Sequence, residues 1–202
     1  MRTLRSRDPR NNWLALSLSL FMLSGLVSLQ AQTNLLSNGS FEKPIQWGRD
    51  WVTPQKPLLS VTGNASHGTK CLHMKVPPKE AAVEGVVFTS QFVPCKPGGK
   101  YRLKYDLRGT GCTVIVFAEA YDVKYIDRPQ GDYRKQCDRV NPGSEWKSYE
   151  CEFQIRNAPR SRARISKMQV KVFAYYPPGE VWVDNVILEA IEEEAVVTPA
   201  TP

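Results

Sequence analysis

The 202-residue chain carries 27 Lys and Arg against 20 Asp and Glu, a formal net charge of +7, and 42% of it is hydrophobic. That balance is only mildly basic, and with no recognised nucleic-acid motif in an exported chain it excludes nucleic acid as the expected partner. It also leaves enough apolar material for one domain with a full core. Residues 1–31 read as a secretory signal peptide: Arg2, Arg5, Arg7 and Arg10 precede an apolar run from Trp13 to Leu29, and cleavage is expected after Ala31. The alternative is a retained membrane anchor, for which the run is short and serine-rich; on the signal-peptide reading no membrane contact is expected after cleavage. Losing this leader removes four Arg and one Asp, leaving 23 basic and 19 acidic residues and a net charge near +4. A secreted, extracellular or periplasmic protein is therefore expected. Residues 191–202 end in Thr-Pro repeats behind Glu192, Glu193 and Glu194, which reads as a solvated tail.

Residues 32–190 show no lasting helical period. Short alternating runs recur between Gly, Pro and Asn turns, which is the pattern of an all-β fold. Residues 70–76 alternate with Leu72 and Met74 on one side. Val86, Phe88 and Phe92 share a face. Tyr101, Leu103, Tyr105 and Leu107 alternate with Arg102, Lys104, Asp106 and Arg108. Residues 112–121 begin apolar on both faces. Tyr149, Cys151, Phe153 and Ile155 alternate with Glu150, Glu152 and Gln154, and Met168, Val170, Val172 and Ala174 alternate with Lys167, Gln169, Lys171 and Phe173. With a strand at each end the count is eight or nine, antiparallel, and a sandwich that pairs its first and last strands is a jelly roll. Two stretches break the spacing and read as long loops, residues 43–57 and 122–144.

The two ends carry the clearest chemistry. The opening stretch runs Asn34-Leu35-Leu36-Ser37-Asn38-Gly39-Ser40-Phe41-Glu42, and the closing one Val181-Trp182-Val183-Asp184-Asn185-Val186-Ile187-Leu188-Glu189. A carboxylate inside an apolar strand is costly unless a cation or several donors satisfy it. Glu42 and Asp184 are therefore expected to meet across the fold and hold a hard cation. The alternative is a pair of strand-end charges matched to Lys or Arg.

Together with S-H-G-T-K-C-L-H-M at Ser66, K-P-G-G-K-Y-R-L-K-Y at Lys96 and S-E-W-K-S-Y-E-C-E-F at Ser144, these motifs fall in one order. In that order the chain resembles the jelly-roll carbohydrate-binding modules of the cellulase and xylanase type, families four, nine, sixteen and twenty-two. The resemblance implies a galactose-binding-like β-sandwich, a non-catalytic role on a polysaccharide or oligosaccharide, and a structural calcium. Glu42 and Asp184 would supply its carboxylate oxygens, completed by backbone carbonyls near Asn38 and Gly39 and in the turn at residues 66–70. It also implies a glycoside hydrolase or a surface complex as a further partner.

A sugar binder needs aromatic platforms beside amides, carboxylates and guanidinium groups. One candidate face carries Gln91, Glu119, Tyr121, Gln169, Lys171, Phe173 and Tyr175; a loop rim offers Trp47, Trp51, Tyr125 and Tyr133. The bland reading of any one aromatic is that it packs a loop. Arginines crowding residues 134–139 and 156–167 fit an acidic glycan, because guanidinium forks match carboxylate or sulfate, or are simply a solvated surface. Two rival functions are an extracellular protein-interaction domain of the same fold and a small glycan-active enzyme using Glu119 with Glu150 or Glu152. Five cysteines suggest disulfides in an exported chain. Cys71–Cys95 and Cys112–Cys151 are the expected pairs, with Cys137 left over; the alternative is that all five stay reduced.

Overall fold

A computed structural model describes residues 33–122, 133–155 and 165–191. The leader, the tail and Tyr125 lie outside the described residues. Eleven strands make up the described fold. They are β1 (Trp51–Val52), β2 (Leu59–Thr62), β3 (Cys71–Val76), β4 (Val86–Ser90), β5 (Val93–Pro94), β6 (Lys100–Thr110), β7 (Thr113–Asp122), β8 (Tyr133–Val140), β9 (Lys147–Gln154), β10 (Ile165–Tyr175) and β11 (Gly179–Ile191). Sheet one runs β1-β4-β10-β7-β8, with β5 also on β10; sheet two runs β2-β3-β11-β6-β9. All the pairings are antiparallel. This is the expected jelly-roll β-sandwich.

The alternation in the sequence places the core. Met168, Val170, Val172 and Ala174 of β10 stand opposite Ala120, Ala118, Val116 and Val114 of β7, and all eight are buried. Leu103, Tyr105 and Leu107 of β6 face them from sheet two with Leu72, Met74, Val181 and Val183. Each such Val or Leu contributes roughly 1.5–3 kcal/mol on burial. Two features differ from the sequence reading. Residues 122–144 are not one loop, because β8 lies within them as the edge of sheet one; its alternation is nearly all polar, so it carries no apolar signal. A short helix, Pro78–Val83, also interrupts the strands. Pro78 starts it and Lys79, Glu80, Ala81 and Ala82 are good helix formers. Gly85 ends it at φ +66, its N–H on the Glu80 carbonyl at 2.6 Å. A Cβ on Gly85 would lie 2.5 Å from the Phe173 ring.

The opening motif closes the sandwich. β11 bulges between Asp184 and Ile187, with Asn185 at φ 50, and beyond the bulge it takes the opening segment along the side that β3 has left. Leu35 N–H donates to the Leu188 carbonyl at 2.8 Å, and Val186 N–H donates to the Gly39 carbonyl at 2.9 Å. The Asn34 amide donates to the Val186 carbonyl and accepts from Leu188 N–H. A Cβ on Gly39 would sit 2.0 Å from the Val186 oxygen, so the Asn-Gly turn permits this contact.

The expected disulfides are absent. All five cysteines are free thiols. Cys71 stands at the start of β3, with its thiol on the carbonyls of residues 62–64, whereas Cys95 follows β5 in the other sheet. Cys112, between β6 and β7, abuts Gly179 at the start of β11; Cys151 lies in β9, beside Leu103 of β6.

Candidate functional site

Glu42 and Asp184 are brought to opposite ends of one turn, residues 66–70. Glu42 Oε1 accepts from the backbone N–H of Thr69 at 2.7 Å and of Lys70 at 2.8 Å, and Oε2 accepts from the Thr69 hydroxyl at 2.8 Å. Gly68 sits beneath it at φ +73, where a Cβ would come within 2.3 Å of the carboxylate. Asp184 is fully buried. Its Oδ2 accepts from Ser66 N–H, the Ser66 hydroxyl and His67 N–H, and its Oδ1 from Asn185 N–H, all within 3.0 Å. Asp106 stands directly opposite Asp184 across β6 and β11, and its Oδ2 is 2.6 Å from the same Ser66 hydroxyl. One hydroxyl proton thus serves two buried carboxylates. The donors hold the Glu42 carboxyl below its ordinary 4.5, Lys70 N–H foremost. Burial pushes Asp184 up, against the pull of its donors.

The donor chemistry suits a hard cation in kind. Glu42 Oε2 and Asp184 Oδ1 each carry a single hydrogen bond, and an ionised carboxylate oxygen has about two acceptor sites. Among the described residues no three His, Cys, Asp or Glu side chains cluster as metal ligands, so any further oxygens would come from carbonyls.

A second constellation covers the outer face of sheet one. Glu119 is fully buried there. It is paired with Lys171 at 2.9 Å and Arg134 Nε at 3.1 Å, and accepts from the Tyr121 hydroxyl at 2.8 Å; Gln169 reaches that hydroxyl at 2.9 Å. A buried carboxylate is tolerable because two cations and a hydroxyl satisfy it. Burial and the neighbouring Glu119 raise the Tyr121 phenol. Beside this network Phe173 and Tyr175 stack at 5.3 Å with 12° between planes, and the Arg139 guanidinium lies 5.7 Å from the Tyr175 ring. The Arg134 guanidinium covers Phe117 at 3.7 Å. Glu119, Tyr121, Gln169, Lys171, Phe173 and Tyr175 therefore come together as read from the sequence. Arg134, Arg139 and Phe117 join them; the two arginines differ in strand parity and share this face only because β8 shifts register between Gln136 and Asp138, which the sequence spacing does not signal.

The loop rim does not form. Trp51 is wholly buried, packed on Phe41 at 5.5 Å and Phe88 at 5.0 Å, because β1 turns its indole into the core. Trp47 is half-buried against that core. Tyr133 packs inward near Phe153 at 6.5 Å. Gln91 lies with its amide between the Asp50 carbonyl and the Ser37 amide, tying the opening segment rather than facing outward. Nor can Glu119 pair with Glu150 or Glu152: those two project from the outer face of sheet two, where they hold Arg102. On that face His73, Trp182, Arg108 and Trp146 stack in series, His73 to Trp182 at 4.6 Å and the Arg108 guanidinium 4.5 Å from Trp182 and 5.2 Å from Trp146. Both faces of Trp182 are thus covered, and no flat platform remains on it.

No protein-family model matches the chain, and neither does any curated protein. Solved structures do. TmCBM61, in complex with beta-1,4-galactotriose, is similar at 20% identity and TM-score 0.53, over 79% of this chain and 100% of that one. The CBM22-1 xylan-binding domain from Paenibacillus barcinonensis Xyn10C is similar at 13% identity and TM-score 0.54, over 81% and 98%. The enzymatically active domain of bacteriophage CBA120 tailspike protein 4 is similar at 18% identity and TM-score 0.56, over 78% of this chain but only 21% of its own. The chain therefore spans about a fifth of that tailspike domain. The class this defines is one of fold, a jelly-roll β-sandwich, and carbohydrate-binding modules are among the structures that share it.

The Glu42 tie carries a pH signature. A carboxyl whose folded value is depressed adds stability above its ordinary 4.5, and that stability is lost as pH falls through the lower folded value. Thermal melts of the wild type and Glu42→Gln should therefore differ at pH 7, with the wild type higher, and converge below pH 4.5. A gap that stays constant down to pH 3 contradicts the tie.

Proposed function

We propose that the outer face of sheet one binds a polysaccharide or oligosaccharide without cleaving it. The observation that carries this is the stacked, near-parallel Phe173–Tyr175 pair beside the Lys171–Glu119–Arg134 network. Stacked rings offer apolar area to the C–H face of a sugar, and the amide and charged groups around them suit its hydroxyls. The galactotriose and xylan named for two similar structures support a glycan ligand. The non-catalytic reading is supported by the opposite placement of Glu119 and the Glu150–Glu152 pair, which cannot flank one glycosidic bond.

The glycan is acidic in this reading. Lys171 and Arg134 already answer Glu119, while Arg139 and Lys167 stand at exposed positions of the same face. A uronate or sulfate group would find guanidinium and ammonium donors there. In affinity electrophoresis, soluble uronate-bearing or sulfated glycans should retard the protein more than neutral ones, and less as salt rises. Tyr175→Ala and Arg139→Ala should each weaken retardation about tenfold, the equivalent of about 1.4 kcal/mol. No retardation by any glycan would remove the proposal.

We further infer a calcium ion beside the 66–70 turn, held by Glu42 and Asp184 in a chain exported by its leader. The two singly bonded carboxylate oxygens support this, since calcium takes carboxylate and carbonyl oxygens. An ion bound only to the native state raises the melting midpoint. The midpoint should rise with millimolar calcium and fall with a chelator; identical midpoints in both would leave the clasp metal-free.

A further inference from the structure

The thiols of Cys137 and Cys151 face one another across the open side of the sandwich. Cys137 belongs to β8, the edge of sheet one, and Cys151 to β9, the edge of sheet two. The two strands share no ladder bonds, yet Cα atoms approach within 8 Å. Both cysteines pack against the core from their own sheet, and they lie close enough together for the Cys151 thiol to perturb the Cys137 thiol and for both to perturb the Tyr105 phenol. At the next residue Asp138 accepts a hydrogen bond from the Tyr105 hydroxyl of sheet two, so the layers are already drawn together at this point. Among the described residues nothing comparable surrounds the other three thiols. Cys71 rests on backbone carbonyls, and burial alone pushes Cys95 up to about 11 and leads the rise of Cys112 to about 11.

We propose that Cys137 and Cys151 form an intramolecular disulfide that joins the two sheets. The oxidant is another disulfide, such as oxidised glutathione or a thiol–disulfide oxidoreductase. One chain thiolate attacks it and releases one thiol. The second chain thiolate then attacks the mixed disulfide and releases the other. Two protons and two electrons leave the chain, and the oxidant becomes two thiols. Burial holds the Cys137 thiol well above its ordinary range, which starves the folded protein of thiolate. The bond therefore forms while the β8–β9 side is still open and is sheltered afterwards. It closes a loop of about 15 residues, enough to restrict the unfolded chain. It also fixes the edge strand that carries Arg134 and Arg139. That last consequence rests on the glycan reading; the cross-link does not.

The full chain, folded in a glutathione redox buffer, should show three reactive thiols in denaturant and a single linked peptide pair bearing Cys137 and Cys151 in a non-reducing digest. Reductant should lower its melting midpoint by about 5–10 °C and leave the Cys137→Ser/Cys151→Ser variant unmoved. Five free thiols, or a link through any other cysteine, overturns the proposal. Should the double variant fail to fold, the wild-type digest with and without reductant decides, and glycan retardation measured on both forms separates the cross-link from the binding reading.

Discussion

Two carboxylates from opposite ends of the chain grip the same five-residue turn, and the closure of the sandwich depends on that grip. Ser66 and His67 donate to Asp184; Thr69 and Lys70 donate to Glu42. Asp184 has no solvent access, and a second aspartate stands across the ladder from it. Desolvated charge of this kind survives only when its acceptor sites are filled. The turn answers most of them with backbone N–H groups that would otherwise point at water. Gly68 is the residue that lets the Glu42 side chain lie against the turn, and Gly39 lets the opening segment reach β11.

The grip reaches the other layer through aromatic packing. Phe41 immediately precedes Glu42 and packs against Trp51 and Phe88, which belong to β1 and β4 of sheet one. Asp50 accepts from the Ser37 hydroxyl and the Gln46 amide beside it. The opening motif thus hydrogen-bonds sheet two and buries its ring in sheet one. The outer face of sheet one, with its ion network and ring pair, is built on strands whose inward residues share this core. Those groups therefore sit on strands rather than loops, and the register of β10 against β7 sets which of them stand side by side.

The fold, and the acid in β11 that needed partners, were legible because burial imposes a period on sequence. Period-two alternation in β6, β9 and β10 marked the strands and their inward faces. The misplaced acid among the apolar residues of β11 marked a group that needed partners, and the same periodicity put Gln169, Lys171, Phe173 and Tyr175 on one face. What escaped had no such signal. β8 is an edge strand of mostly polar residues, so Arg134 and Arg139 read as loop charges. Trp51 looked like a rim aromatic because a two-residue strand has too little alternation to give its direction. The Asp106–Ser66–Asp184 contact and the meeting of Cys137 with Cys151 depend on strand order, which local pattern does not contain.

Hydrogen exchange at the backbone amides of Ser66, His67, Thr69 and Lys70 tests the clasp most directly. All four lie in a surface turn outside the ladder, so only their carboxylate partners can protect them. The account predicts exchange slowed by about a hundredfold or more relative to an unfolded chain, with the protection of Thr69 and Lys70 lost in Glu42→Ala. Exchange of all four within a few-fold of the unfolded rate would contradict it.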